Sequence, residues 1–313
     1  MTEPVGPTLP PEALAELEFV PTRHWGRWLA AGVILAFMAW LSYVVATNKN
    51  IRWNAVGTFL HDSSILDGLK ITIELTLIAM EIGVALGILL ALMHLSRNPV
   101  LSIFANFYIW VFRGTPLLVQ IIFWYNIALI FPRIGFGSLS LNTNTVVTTF
   151  VAAILALGLN EGAYMSEIVR AGILSVTHGQ MDAALATGLT QRQAMRHVVI
   201  PQALRVIVPP TGNQTIGMLK TTSLVSVIAA QDLLTRSQNI YAKNFLVIEL
   251  LIVASIWYLA LTTIASVGQY FLEKKFAAGA TRTQPEPGLL DFVRRHVFSL
   301  PRRGGRAGRG TRA

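Results

Sequence analysis

The amino-acid sequence predicts an all-α integral membrane protein, and two observations support this fold class. Of the 313 residues, 53% are hydrophobic and only 13% are charged, whereas soluble domains carry about 25% charged residues. In addition, several apolar runs reach the ~20 residues that a helix needs to cross the hydrocarbon core of a bilayer. The chain is therefore expected to cross the membrane several times.

Six candidate spans follow one another along the chain. Their approximate bounds are 28–47, 69–95, 101–131, 146–168, 204–230 and 245–272. The third run is too long for one crossing, and Arg113, Gly114 and Pro116 in its middle predict an interfacial helix, a break and a span from Leu117. Pro209, Pro210 and Gly212 predict a similar interruption in the fifth run.

Basic residues are concentrated in alternate flanks of these spans, which predicts the orientation. The richer flanks contain Arg23, Arg27, Arg97, Arg170, Arg192, Arg196, Arg205, Lys274 and Lys275, and the poorer flanks contain Lys49, Arg52, Arg133, Arg236 and Lys243. Both termini are thus expected in the cytoplasm. In the cytoplasmic tail 1–27, the first twenty residues are acidic and Pro-rich and lack the basic region of a signal peptide. The Arg- and Gly-rich tail 273–313 is expected to be disordered and membrane-facing, without binding nucleic acid.

A polar segment, 179–201, separates the fourth span from the fifth, and its pattern predicts two short helices. Small and apolar residues recur at helical spacing in the first of them: Met181, Ala184, Leu185 and Gly188. Gly188 suits a left-handed helix stop, and Thr190 with Gln193 has the spacing of a capping box. Pro201 is expected to end the second helix. The segment is thus predicted to be a structured cytoplasmic module.

The sequence contains no pattern typical of an enzyme. There is no cysteine, the six histidines are scattered, and no glycine-rich loop continues into Gly-Lys-Ser/Thr. No catalytic residue, metal ligand or cofactor is therefore predicted in this chain, and a partner would have to supply energy for active work.

The polar segment resembles the cytoplasmic loop of bacterial ABC-importer permeases. That loop has the pattern Glu-Ala-Ala, three further residues, Gly, and later a hydrophobic residue before Pro; this chain has Asp182, Ala183, Ala184, Gly188, Ile200 and Pro201. The stretches 112–120, 163–173 and 220–224 resemble the polar amino-acid subfamily, the histidine and glutamine permease type. Two departures are Asp182 in place of Glu, and Thr221 where the family often has Asp or Asn.

The resemblance implies the transmembrane domain of a type I ABC importer, with a five-helix core at 66–272, a coupling loop at 173–201 and an extra N-terminal helix at 28–47. The chain would be the permease subunit that moves polar amino acids across the bacterial cytoplasmic membrane by alternating access. Its implied partners are two ATPase subunits that hold ATP and Mg²⁺, an extracytoplasmic binding protein, membrane lipids, and a second permease that is either another copy or a paralogue. An ion-coupled secondary transporter and a non-transporting scaffold are the alternatives.

The resemblance assigns the coupling to the ATPase to seven residues: Gly179, Asp182, Ala183, Ala184, Gly188, Arg192 and Pro201. Ala183, Ala184 and Gly188 are small enough for close docking, and Asp182 is the expected charged contact. Arg192 and Arg196 are either partner contacts or part of a solvated face. The alternative for the whole segment is an amphipathic helix on the membrane surface, but its apolar face is small and Ala-rich.

Polar residues within the apolar spans suggest a substrate pathway: Glu81, Thr115, Asn160, Glu161, Asn213 and Gln214. An ionisable group in a span costs at least ~2.5 kcal/mol, so it is a functional candidate. Glu161 with Asn160 is expected to accept an ammonium group, and Thr115, Asn213 and Gln214 to serve a carboxylate. The alternative is that the glutamates pair with Arg113 or Lys220, which is the favoured interpretation for Glu74.

Gly83, Gly87 and Ala91 recur every four residues in the second span. Such a seam of small residues allows two helices to approach closely. The expected use is packing within the chain, and a contact between two copies is the alternative.

Overall fold

The computed structural model describes residues 25–135 and 140–277, and the predicted tails 1–24 and 278–313 lie outside the described residues. The chain divides into two compact units, one ending at Trp53 and one starting at Asn54. The first unit contains helix α1, Trp25–Ala46, whose apolar stretch is long enough to cross a membrane. Its bounds agree with the predicted first span, and its role stays a prediction.

The second unit is mostly helical. Its α-helices are α2 (Trp53–Leu60), α3 (Ser63–His94), α4 (Pro99–Gly114), α5 (Leu117–Tyr125), α6 (Thr143–Val146), α7 (Thr149–Leu174), α8 (His178–Ala186), α9 (Gln191–Ala194), α10 (Ile200–Thr221), α11 (Leu233–Asn244) and α12 (Val247–Ala277). Two 3₁₀ segments, Ile127–Leu129 and Thr222–Ile228, and a π-helical segment, Met195–Val199, lie between them. Strands β1 (Arg133–Ile134) and β2 (Leu141–Asn142) form an antiparallel pair.

The break predicted in the third run is confirmed. Helices α4 and α5 meet at an angle of 101° across Thr115 and Pro116. Among the described helices, α1, α3 and α12 have both the length and the composition of a membrane span, and the bent pair could form a fourth. Helices α7 and α10 are 26 and 22 residues long, or roughly 39 and 33 Å at the rise of an α-helix, which is enough to cross a bilayer. They do not meet the criterion of apolar composition, so the six crossings stay a prediction.

Helices α3 and α7 pack closely along the seam of small residues. A methyl group at position 87 would lie 2.4 Å from Cβ of Met165 and 2.9 Å from its carbonyl carbon. A methyl group at position 83 would lie 2.5 Å from Cγ of Glu161. The two glycines thus allow direct contact between the helices, and packing within the chain, the expected use of this seam, is what the structure shows.

We expect Gly87→Ala to destabilise the protein because the contacted carbonyl carbon belongs to the backbone of α7 and cannot move as a side chain can. Overpacking of this kind costs about 1–3 kcal/mol. Thermal unfolding in detergent, followed by circular dichroism at 222 nm, should show a lower midpoint for Gly87→Ala than for the wild type. Gly268→Ala is the matched control because nothing lies within 4 Å of a methyl group at that helical position; equal midpoints for the two variants would contradict the prediction.

A second core lies where α2, α3, α11 and α12 meet, and buried polar groups hold it together. Asp232 is fully buried and its carboxylate accepts hydrogen bonds from the backbone N–H groups of Leu234 and Thr235 at the start of α11. Tyr258 of α12 donates to the same carboxylate at 3.3 Å. The N–H of Leu233 donates to Thr72 of α3 at 3.1 Å. The short helix α11, which the apolar pattern did not predict, is thereby fastened to both long helices.

The interruption predicted at Pro209 and Pro210 is wrong. Helix α10 continues through both prolines, and the α-helical path ends only at Thr221. Packing against neighbouring helices allows proline inside a membrane helix, and α12 contacts α10 at this point. Nε2 of Gln269, on α12, donates to the carbonyl oxygen of Pro209 at 2.7 Å, and the hydroxyl of Thr211 donates to the carbonyl of Ile207 at 2.8 Å.

Candidate functional site

The break between α4 and α5 is held by a network of polar side chains. Nε2 of Gln120 donates to the carbonyl oxygens of Phe112 and Thr115, at 2.9 and 3.1 Å, and to Oγ1 of Thr115 at 2.8 Å. Nδ2 of Asn160, on α7, donates to the same Phe112 carbonyl at 2.9 Å and to Oε1 of Gln120 at 3.2 Å. The carbonyl groups at the end of α4, which have no partner within the helix, thus accept hydrogen bonds from these side chains. The hydrogen bonds hold the bend between α4 and α5.

Glu161 lies at the midpoint of α7 and is 5% exposed. Its stem packs against Gly83 of α3, and the side chain of Gln214, on α10, reaches its carboxylate. Oε1 of Glu161 is buried and has no hydrogen-bond partner in the described part of the chain. Buried polar atoms in proteins are nearly always satisfied, so this oxygen is the strongest candidate for an acceptor of a ligand's positive group.

The predicted pathway residues fall into three places. Glu161 and Gln214 lie together between α7 and α10. Thr115 and Asn160 lie together at the α4–α5 break, where their side chains form hydrogen bonds with other groups of the chain. Glu81 and Asn213 are exposed on α3 and α10, so the structure does not gather all six residues around one point.

The ion pair favoured for Glu74, with Arg113 or Lys220, is wrong. Glu74 pairs with Lys70 of its own helix at 3.8 Å, where the two side chains are 44% and 76% exposed. Arg113 pairs with Glu167 of α7 at 3.8 Å and lies over the ring of Tyr164, 5.3 Å from its centroid. Glu74 reaches Lys70 because residues four apart lie on the same helix face. Neither Glu81 nor Glu161 is the partner of Arg113, in keeping with the pathway interpretation favoured for both.

The segment 178–199, which we term the coupling module, has the two-helix form expected. Gly188 adopts a left-handed conformation with φ of 86° after α8, and Thr190 and Gln193 form the complete capping box at the start of α9. Asp182, Ala183 and Gly188 are exposed, whereas Ala184 is buried against the chain itself. The exposed part of the predicted docking face is therefore smaller than the sequence indicated.

The chain matches the profile of a protein family over residues 83–278. The family is described as the inner membrane component of binding-protein-dependent transport systems. The chain belongs to this family. The permease is 44% identical over 269 residues to the arginine transport system permease protein ArgU of Corynebacterium glutamicum, and the match covers 85% of each chain. It is 35% identical over 213 residues to the glutamate/aspartate import permease protein GltK of Escherichia coli, covering 68% of this chain and 93% of that one.

A solved structure supports the same assignment. The permease is 37% identical to a chain in the crystal structure of an amino acid ABC transporter with histidines, with a TM-score of 0.60 and coverage of 68% of this chain and 94% of that chain. An inward-facing structure of the MetNI methionine ABC transporter shares the fold at 18% identity and a TM-score of 0.54. The fold class predicted from the sequence, a type I ABC importer permease, is confirmed.

The prediction that Pro201 ends a helix in the permease is wrong. The chain passes from α9 through the π-helical segment directly into α10, and Pro201 is the second residue of α10. Nε2 of Gln202 on α10 donates to Oε1 of Gln180 on α8 at 3.4 Å. The coupling module is thus continuous with the helix that carries Gln214. Gln214 lies about 18 Å from Gln202 along the helix axis.

Two residues that sequence analysis missed support α10 of the permease and the bend. Gln269 is 8% exposed, and besides the Pro209 carbonyl its Nε2 reaches Oε1 of Glu273 at 2.8 Å. A methyl group at Gly212 would lie 1.5 Å from Oε1 of Gln269, so α12 and α10 pack in direct contact near the prolines. Gln120 is the other residue. A lone polar side chain in an apolar helix just after Pro116 could have indicated its role at the bend.

No group of three or more potential metal-ligating side chains occurs within residues 25–135 and 140–277.

Proposed function

We propose that this permease imports cationic amino acids of the arginine type across the bacterial cytoplasmic membrane. Glu161 is the observation that carries the proposal, because a buried carboxylate oxygen without a hydrogen-bond partner is suited to accept an ammonium or guanidinium group. The 44% identity to an arginine permease supports the same substrate class. The relatives reported above are transport permeases, so the secondary-transporter and scaffold alternatives gain no support from them.

The proposed assembly contains two permeases, two ATPase subunits that hold ATP and Mg²⁺, and an extracytoplasmic binding protein. The second permease is either another copy of this chain or a paralogue. The family's description as a component of binding-protein-dependent transport supports the binding protein. The distribution of basic flanks supports cytoplasmic termini and a cytoplasmic coupling module.

Helix α10 is the proposed mechanical link of the transport cycle. ATP-driven closure of the ATPase pair would displace the coupling module, which continues into α10 and is bonded to it through Gln180 and Gln202. Gln269 binds α10 at Pro209 and so provides a fixed point between the module and Gln214. Movement of α10 around this point would change the distance between Gln214 and Glu161, and with it access to the carboxylate from either side.

The substrate class is tested with the permease, its ATPase and its binding protein reconstituted in proteoliposomes. We expect ATP-dependent uptake of labelled arginine, competed by excess lysine and not by glutamate, because glutamate lacks a cationic side chain for Glu161. Vesicles without ATP are the control. The binding protein alone is titrated with the same three amino acids, so that selection by the binding protein is separated from selection by the permease; efficient uptake of glutamate would overturn the proposal.

A further inference from the structure

An aliphatic cavity of 510 Å³ lies between four helices of the second unit, separate from Glu161. Its walls come from α3, α7, α10 and α12, and they include Val84, Ile88, Val169, Leu204, Ile207 and Leu272. Two threonines of α10 also line it, but their hydroxyls donate to backbone carbonyls of their own helix at 2.8 and 3.0 Å. A zwitterionic or charged molecule would therefore lose its water there without gaining partners, whereas a hydrocarbon chain would fit.

A basic groove of 560 Å³ adjoins this cavity at Ile200, which lines both. The groove is formed by Gln191, Arg192, Met195, Arg196 and Ile200, and it contains no carboxylate. Arg192 and Arg196 are exposed and four residues apart, so they share one face of the helix. Neither arginine forms an ion pair with any residue of the described segments.

We propose that the groove and the cavity together bind one anionic phospholipid, with its phosphate on Arg192 and Arg196 and an acyl chain among the aliphatic side chains. The charges and the apolar lining are complementary to the two parts of such a lipid. The spacing also fits, because Arg196 and Ile207 are eleven residues apart, or roughly 16 Å along a helix. This is about half of the ~30 Å hydrocarbon core, which is the depth of one leaflet.

The lipid would contact both the coupling module and α10, and so would hold the module at the membrane surface. The groove lies on α9, the π-helical segment and the start of α10, and the cavity follows α10 towards Gly212. The site stands without the proposed amino-acid specificity, because Glu161 lines neither the groove nor the cavity. It does compete with the expected role of Arg192 as an ATPase contact, and the experiment distinguishes the two.

The test is native mass spectrometry of the purified full-length permease with added phosphatidylglycerol or phosphatidylcholine of identical acyl chains. We expect the wild type to retain phosphatidylglycerol preferentially, and the double variant Arg192→Gln/Arg196→Gln to lose roughly fivefold in affinity for each arginine. The matched control, Arg133→Gln/Lys243→Gln, removes the same charge elsewhere and should keep the preference. Glycerol phosphate, which has the headgroup without chains, should not displace phosphatidylglycerol at equal concentration.

The apolar half of the site is tested with Leu204→Trp, which fills the cavity, and Leu204→Ala, which removes contacts and covers the case in which the tryptophan variant does not fold. Both should weaken the two lipids equally while leaving the headgroup preference intact. Equal binding of both lipids by the wild type, or displacement by glycerol phosphate, would overturn the proposal. An unchanged lipid preference in the arginine variant, with loss of ATPase co-purification, would assign the groove to the ATPase.

Discussion

Glu161→Gln should reduce arginine uptake and substrate-stimulated ATP hydrolysis roughly 10- to 100-fold, the effect of removing a hydrogen bond to a charged group. The substitution keeps the size of the side chain and its contact with Gly83, so the packing of α3 on α7 is retained. What it removes is the negative charge at the unpartnered Oε1 of Glu161. The measurement is uptake by proteoliposomes at several substrate concentrations, together with ATP hydrolysis.

Glu81→Gln is the matched control for this experiment, because Glu81 is exposed on α3 and two residues from Gly83. It removes the same charge without touching the buried carboxylate, and transport should stay within about twofold of the wild type, as expected for a residue that forms no tight contact. Unchanged uptake in Glu161→Gln would exclude the carboxylate from the substrate path. A large loss in Glu81→Gln would show that the exposed face of α3 belongs to that path.

The second large effect is expected at Gly188, where Val should uncouple the permease from its ATPase. Gly188 has φ of 86°, and a β-branched residue is a genuine outlier in that region. The substitution should displace α8 relative to α9 and abolish co-purification with the ATPase and ATP-driven uptake. Asn tolerates the left-handed conformation, so Gly188→Asn should retain both.

A charge reversal on the same face gives an independent test. Asp182→Lys should lose ATPase binding, whereas Asp182→Glu restores the family's usual residue and should bind at least as well as the wild type. Asp182 is exposed, so neither substitution disturbs the interior of the coupling module. ATPase retained by both Gly188→Val and Asp182→Lys would show that docking occurs elsewhere on the permease.

Most patterns that depend on local spacing predicted local structure correctly, although Pro201 does not end a helix. The bend at Thr115 and Pro116 was predictable because proline restricts both itself and the preceding residue, and the capping box at Thr190 was predictable because Thr and Gln reach one another within a single turn. The left-handed Gly188 followed from the same kind of argument. In each case the interacting groups lie within a few residues of one another.

Predictions failed where distant residues decided the outcome. Pro209 and Pro210 do not break α10, which is packed at this point against α12, where Gln269, 60 residues later, donates to the Pro209 carbonyl. Arg113 pairs with Glu167 of α7, and not with Glu74, for which a pair with Arg113 or Lys220 was the favoured interpretation. No periodicity in the sequence indicates such pairings, because they depend on which helices become neighbours and at what height.

The sequence by itself determined that this protein is a multi-span permease with a coupling module, because apolar length, helix breakers and a local loop pattern act within each segment. Only the tertiary structure decided which of the six candidate pathway residues is buried without a full set of partners. Glu161 stands out because Gly83, 78 residues earlier, leaves space for its stem. The side chain of Asn160 beside it is already hydrogen-bonded to the Phe112 carbonyl at the bend. That distinction between neighbouring polar residues depends on packing across helices, where a rotation of 100° about the helix axis changes every contact.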